Sequence, residues 1–191
     1  MAPHSNRKET KMSTKCKWIN GIQTFYNTPM MVAAGTISEN KEFDSGTEGV
    51  VFTTTIPAGT LNDTNMHFKL TLAGHISSDG SDDITFRLRM GTTDILETIV
   101  TSTTPDEDDK CFILEYFGRI HTAGASGKVV AQGRLMSEAT GMADVLKSTA
   151  VAGASVALTT VTSINVTGQW DDTDATTDIF ITTGILELFT Q

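Results

Sequence analysis

Four histidines, two acidic clusters and two strand carboxylates are the groups in this sequence with the chemistry for a site. A metal needs imidazoles converging on one point. His4, His67, His75 and His121 are scattered along the chain, and His67 and His75, on one face of a single predicted strand, stand about 26 Å apart at the usual rise per residue. They read as solvent-facing or interface side chains. Asp106-Glu107-Asp108-Asp109 and Asp171-Asp172-Thr173-Asp174 fall in predicted loops. Calcium takes several oxygens from such loops, yet neither cluster has the EF-hand spacing, and acidic loops also serve solubility. Glu115 and Glu187 interrupt apolar strands. Paired in a low-dielectric groove, two carboxylates would do acid–base chemistry; singly, they face solvent or a subunit. The chain has no GxSxG elbow, HExxH, P-loop or GxGxxG, the patterns that place a nucleophile, a zinc or a phosphate. The expectation is a protein with no enzymatic activity, no metal and no cofactor.

A second kind of chemistry is recognition by charge and aromatic surface. Arg7, Lys8, Lys11, Lys15 and Lys17 against Glu9 give residues 1–20 a net charge of +4, so the total of −9 leaves −13 on the remainder. An acidic body argues against nucleic-acid binding, which calls for a basic face. Beside the basic residues lies Trp18 to Pro29 (WINGIQTFYNTP), with Trp18, Phe25 and Tyr26. Aromatic side chains anchor interfaces, and these three either bind a partner or cover the end of their own domain. Residues 1–29 are expected to form an extended attachment arm, with these eight side chains as its contacts.

The elements that hold such groups are legible in composition and period. Thirty-two threonines and only 19% charged residues favour half-buried pleated surface. Val50 to Ile56 is almost wholly β-branched and stops at Pro57-Ala58-Gly59. Met66, Phe68, Leu70, Leu72, Gly74 and Ile76 share one face, and Ile84, Phe86, Leu88 and Met90 repeat the period after a turn at residues 79–82. These two runs read as a hairpin. Phe112, Leu114, Tyr116, Gly118 and Ile120 alternate with Ile113, Glu115, Phe117 and Arg119, and residues 128–136 return as the partner strand. Residues 138–155 read as a long connection with one helical turn near Met142 to Lys147. The last run, Asp178 to Phe189, is apolar on both faces, and a strand of that kind is covered on both sides. Seven or eight such strands without helical crossovers over residues 30–191 point to an antiparallel sandwich or barrel rather than an α/β fold.

The order of FTTTIPAGTL (Phe52 to Leu61), HFKLTLAGHISS (His67 to Ser78), ITFRLRMG (Ile84 to Gly91) and SINVTGQWDDTDATTDIFITTGILELF (Ser163 to Phe189) resembles a module of virion proteins in tailed bacteriophages, of the capsid decoration, cement or head-fibre type. The resemblance implies an all-β jelly-roll-like sandwich, often a homotrimer. At 191 residues, the length favours a decoration protein bound to the major capsid protein; the alternative is a fibre-head or tail-tip protein binding cell-surface glycans.

Cys16 and Cys111 lie far apart and read as reduced thiols. No apolar run reaches the length of a membrane span, and no signal-peptide centre stands near residue 1. The expected location is the capsid surface of a virion assembled in a host cytoplasm, with neither membrane nor nucleic acid as partner.

Overall fold

The chain is all-β, with two antiparallel sheets packed face to face. The computed structural model describes residues 47–78, 83–101, 107–138, 145–149, 153–170 and 178–190, together with strand segments 16–19, 22–25, 31–34, 36–37 and 41–42. The strands are β1 (Cys16–Ile19), β2 (Ile22–Phe25), β3 (Met31–Ala34), β4 (Thr36–Ile37), β5 (Lys41–Glu42), β6 (Gly49–Thr55), β7 (Met66–Ser78) and β8 (Asp83–Met90). They continue with β9 (Thr93–Thr101), β10 (Glu107–Thr122), β11 (Gly127–Ser137), β12 (Val145–Ser148), β13 (Ala154–Val156), β14 (Ser163–Trp170) and β15 (Asp178–Thr190). An eight-stranded sheet has the order β12-β11-β10-β7-β15-β3, with β13 beside β11 and β5 beside β15; a five-stranded sheet has the order β4-β6-β14-β8-β9. β1 and β2 pair with each other.

Period-two burial explains why these residues form these layers. In β8 the pattern is strict, Ile84, Phe86, Leu88 and Met90 being buried while Asp83, Thr85, Arg87 and Arg89 are half-buried on the other side. Phe68, Leu70, Phe86, Leu88, Leu114, Tyr116, Ile164 and Val166, all expected inside, are at most 2% exposed. They belong to one continuous core between the sheets. Across that core the rings of Phe86 and Phe112 meet with centroids 5.6 Å apart. Trp170, the largest side chain in the core, is fully buried at the end of β14.

Three local expectations give way to the structure. β7 and β8 do not pair: β7 lies between β10 and β15, whereas β8 lies between β14 and β9. Alternation shows which face of a strand is inward, and strands of either sheet face the same core. The chain thus changes sheet from β6 to β7 to β8, and again from β13 to β14 to β15, in the manner of a jelly roll. Near Lys147 the backbone is strand β12, paired with β11. Finally, Glu107 to Asp109 lie in the first part of β10 rather than in a loop, where the pairing to β7 is irregular between Glu107 and Lys110. The expected β10–β11 hairpin is present. The two-residue β8–β9 turn has Gly91 at φ +62°, a geometry that glycine adopts without steric cost.

Candidate functional site: two unlike sheet faces

The two outer faces differ in chemistry, and the difference follows from the residues that alternate with the core. On the five-stranded sheet these are mostly polar and tied together, with Val50 of β6, 40% exposed, as the apolar exception. Glu48 accepts from Arg89 at 2.9 Å, stands 3.8 Å from Arg87 and receives the Thr167 hydroxyl. Arg87 also donates to Glu97 at 3.0 Å and to Gln169 at 2.7 Å, and Arg89 pairs with Asp94. Asn165 donates to the Gly91 carbonyl at 3.1 Å. Asp94 holds the Arg89 guanidinium charged above its ordinary range, against the opposing effect of burial. A cation with a raised pKa contributes fully below its unfolded pKa and loses that contribution only as pH rises through the folded value, so the Arg89 contribution is undiminished at neutral pH and lost only in strong base. Glu48→Ala is expected to lower stability by about 1 kcal/mol, measured by urea denaturation; no change would mean that Asp94 and Glu97 alone hold both arginines.

The outer face of the eight-stranded sheet is of another kind. Ile113 and Phe117 on β10 and Ile185 on β15 are 41–42% exposed, large apolar side chains directed away from the core. The cross-strand register sets the rows of this face. Val130, Arg119, His67 and Phe189 form one row; Gln132, Phe117, Lys69 and Glu187 the next; Arg134, Glu115, Thr71 and Ile185 a third; and Met136, Ile113, Ala73 and Thr183 a fourth. The first two rows enclose an open cleft of about 440 Å³ lined by His67, Lys69, Phe117, Arg119, Gln132 and Phe189, among others. Lys69 lies 3.3 Å from Glu115 and 5.4 Å from the centre of the Phe117 ring. Arg119 is exposed and has neither hydrogen bond nor ion pair among the described residues.

The residues singled out from the sequence fall unevenly on this frame. Glu115 and Glu187 share the outer face with Lys69, which pairs with Glu115 and stands opposite Glu187 in register. His67 and His75 lie at opposite ends of that face, His75 with its Nδ1 3.8 Å from the exposed Cys111 sulfur. Among the described residues no group of three or more His, Cys, Asp or Glu side chains is gathered as a metal site requires. Arg7, Lys8, Lys11, Lys15, Tyr26 and the 171–174 cluster lie outside the described residues, and Lys17, Trp18 and Phe25 are described as backbone only. The cleft itself was not anticipated. Its only sequence signal was the apolar second face of β10 and β15.

No protein-family model matches the chain, and no curated protein matches it. Among solved structures, the CBM2 module of the evolved Dit of Lactobacillus casei BL23 phage J-1 aligns over 94% of this chain and 81% of its own, with 11% identity and a TM-score of 0.39. The metal-free lectin I-B4 from Griffonia simplicifolia aligns over 83% and 92%, with 10% identity and a TM-score of 0.36. The VP2 subviral particle of infectious bursal disease virus aligns over 92% and 45%, with 9% identity and a TM-score of 0.31.

Proposed function

We propose that this chain is a structural virion protein, a capsid decoration or cement protein that binds a phage head and stabilises it. The observation that carries this reading is the contrast between the two outer faces. One is tied together by ion pairs and, among the described residues, exposes a single large apolar side chain, Val50. The other exposes three large apolar side chains in neighbouring rows, and apolar patches of that kind mark association. The sequence module quoted above supplies the virion context.

In this reading the two ends of the chain divide the work. Residues 1–29 are the attachment arm, its +4 charge meeting acidic surface on the major capsid protein. Trp18, Phe25 and Tyr26 supply the desolvated anchors that exposed ion pairs do not. The apolar sheet face takes neighbouring copies, in a homotrimer.

Two measurements test the proposal. The copy number per virion should be in the hundreds; a few dozen or fewer would favour the fibre or tail-tip alternative. Deleting residues 1–29 should leave a soluble, cooperatively melting protein that no longer binds particles. Full occupancy by the truncated protein would place attachment on the body instead, and its unfolding would make the segment part of the sandwich.

A further inference from the structure

We infer that the open cleft on the outer face of the eight-stranded sheet binds an acidic saccharide, a sugar ring bearing a carboxylate, with Arg119 and His67 on the carboxylate and Phe189 under the ring. The inference goes beyond the proposed function and does not depend on it. That reading gives the apolar rows of Ile113 and Ile185 to neighbouring copies, whereas the cleft lies in the other two rows, with Phe117 as the wall between.

Charge is the first observation. His67, Lys69 and Arg119 line the cleft and no carboxylate does, on a chain whose net charge is −9. Lys69 is answered by Glu115 at 3.3 Å and faces Glu187 across the ladder. Arg119 is not answered: its side chain, like those of His67 and Gln132, has neither hydrogen bond nor ion pair among the described residues. Arg119 and His67 are directly opposite in register, on β10 and β7. Opposed residues of an antiparallel pair have Cβ atoms about 5 Å apart, so one carboxylate can accept from the guanidinium and from an imidazole N–H together.

The second observation is what lies beside those donors. A sugar ring has C–H groups on its faces and hydroxyls on its rim, so its site needs a flat apolar surface and a neighbour that both donates and accepts. Phe189 follows His67 in the same row and is half-buried, with its ring in the cleft wall. Gln132, exposed in the next row, carries an amide that donates and accepts. A bare inorganic anion would have no use for the ring, and an aliphatic acid none for the amide.

Shape and backbone complete the argument. The volume of about 440 Å³ falls among those of small-ligand sites, and an open cleft admits one unit of a longer chain. β7 and β10 are flanked on both sides by ladder partners in these rows. Their main-chain groups are already used, so an extended peptide does not join here as a strand. Recognition falls to the side chains.

The test is isothermal titration calorimetry of the full chain with short oligogalacturonates and oligosialates, with the same oligosaccharides methyl-esterified, and with polyglutamate. At least one of the two acidic sugars should bind, and which of them does so selects the ring. Its ester, which keeps the ring and loses the charge, should bind at least about tenfold more weakly, and polyglutamate, which has carboxylates without a sugar, no better than the ester. Arg119→Gln should weaken binding at least about tenfold and Gln132→Ala about threefold. Arg134→Gln, on the same face but outside the cleft lining, should bind as wild type does. Thermal melts followed by circular dichroism establish that each variant is folded. Failure of both acidic sugars to bind, an affinity for the ester or for polyglutamate equal to that for the acid, or an Arg119→Gln variant that binds like wild type would overturn the inference. Each of those results leaves the decoration role standing, because copy number on the head does not depend on the cleft.

Discussion

Phe86→Ala will lower the stability of this protein by about 3–5 kcal/mol. The side chain is fully buried in β8, between β14 and β9, and its ring reaches across the core to Phe112 of the other sheet. Its removal therefore costs more than transfer of one ring to water, because a space is left between two sheets whose hydrogen-bonded ladders resist collapse into it. Urea denaturation of wild type and variant measures the difference. A loss below about 1 kcal/mol would mean that the ring lies in a site able to close, against its complete burial. Thr85→Ala, one residue away on the outer side of the same strand, should change stability by less than about 0.5 kcal/mol.

Gly74→Ala will be the most damaging of the small substitutions, with a loss of about 3 kcal/mol or more. A Cβ on Gly74 would stand 2.1 Å from the carbonyl oxygen of Phe180 and 3.0 Å from the Cα of Ile181. Both are backbone atoms of β15, at the irregularity where its pairing with β7 shifts between Ile181 and Thr183. Backbone held in a ladder yields little, so the strand must move and its pairing with β7 loosens. Gly184 gives the informative contrast. A Cβ there meets the ring edge of Phe52 and the end of Leu72, side-chain atoms with some freedom to turn, so Gly184→Ala should cost less than Gly74→Ala. Equal losses, or a Gly74→Ala variant as stable as wild type, would show that β15 does not approach β7 so closely.

Both predictions draw on information that the sequence carried in part. The inward faces of β7, β8, β10 and β14 were legible because one side of each strand is in water or at a surface and the other in the core, which imposes a period of two. The β10–β11 hairpin was legible because its turn is short and its strands are long. Sheet membership was not, because a strand of either layer presents the same pattern to the shared core, so alternation alone does not tell whether β7 and β8 pair. Glu107 to Asp109 were read as loop because their charge is foreign to a core, but a strand that continues beyond the core has no need of apolar residues. The two-stranded pairing of β12 and β13 with β11 was hidden by the Ala-, Gly- and Ser-rich stretch around them, which has no period to read.

The outer face of the eight-stranded sheet was half visible for a related reason. Alternation already placed Ile113, Glu115, Phe117 and Arg119 together on the outer side of one strand, and the final strand was apolar on two sides. What brings Arg119 beside His67, Val130 and Phe189 is the register of four strands, and register across non-consecutive strands depends on tertiary packing. No local pattern announces it. The apolar second face of β10 and β15 was the signal that pointed to this surface without giving its contents.

In the proposed function this sandwich is a part of the virion shell, with its eight-stranded face turned to protein neighbours. A reconstruction of the intact virion at a resolution that shows strands would locate it. The chain is expected on the head surface in hundreds of copies, grouped in threes, with Ile113, Phe117 and Ile185 buried against adjacent copies and the Glu48, Arg87 and Arg89 ladder facing solvent. A chain found at the tail or fibre tip, or one on the head with its ion-paired face against the neighbours and Phe117 in open solvent, would contradict it.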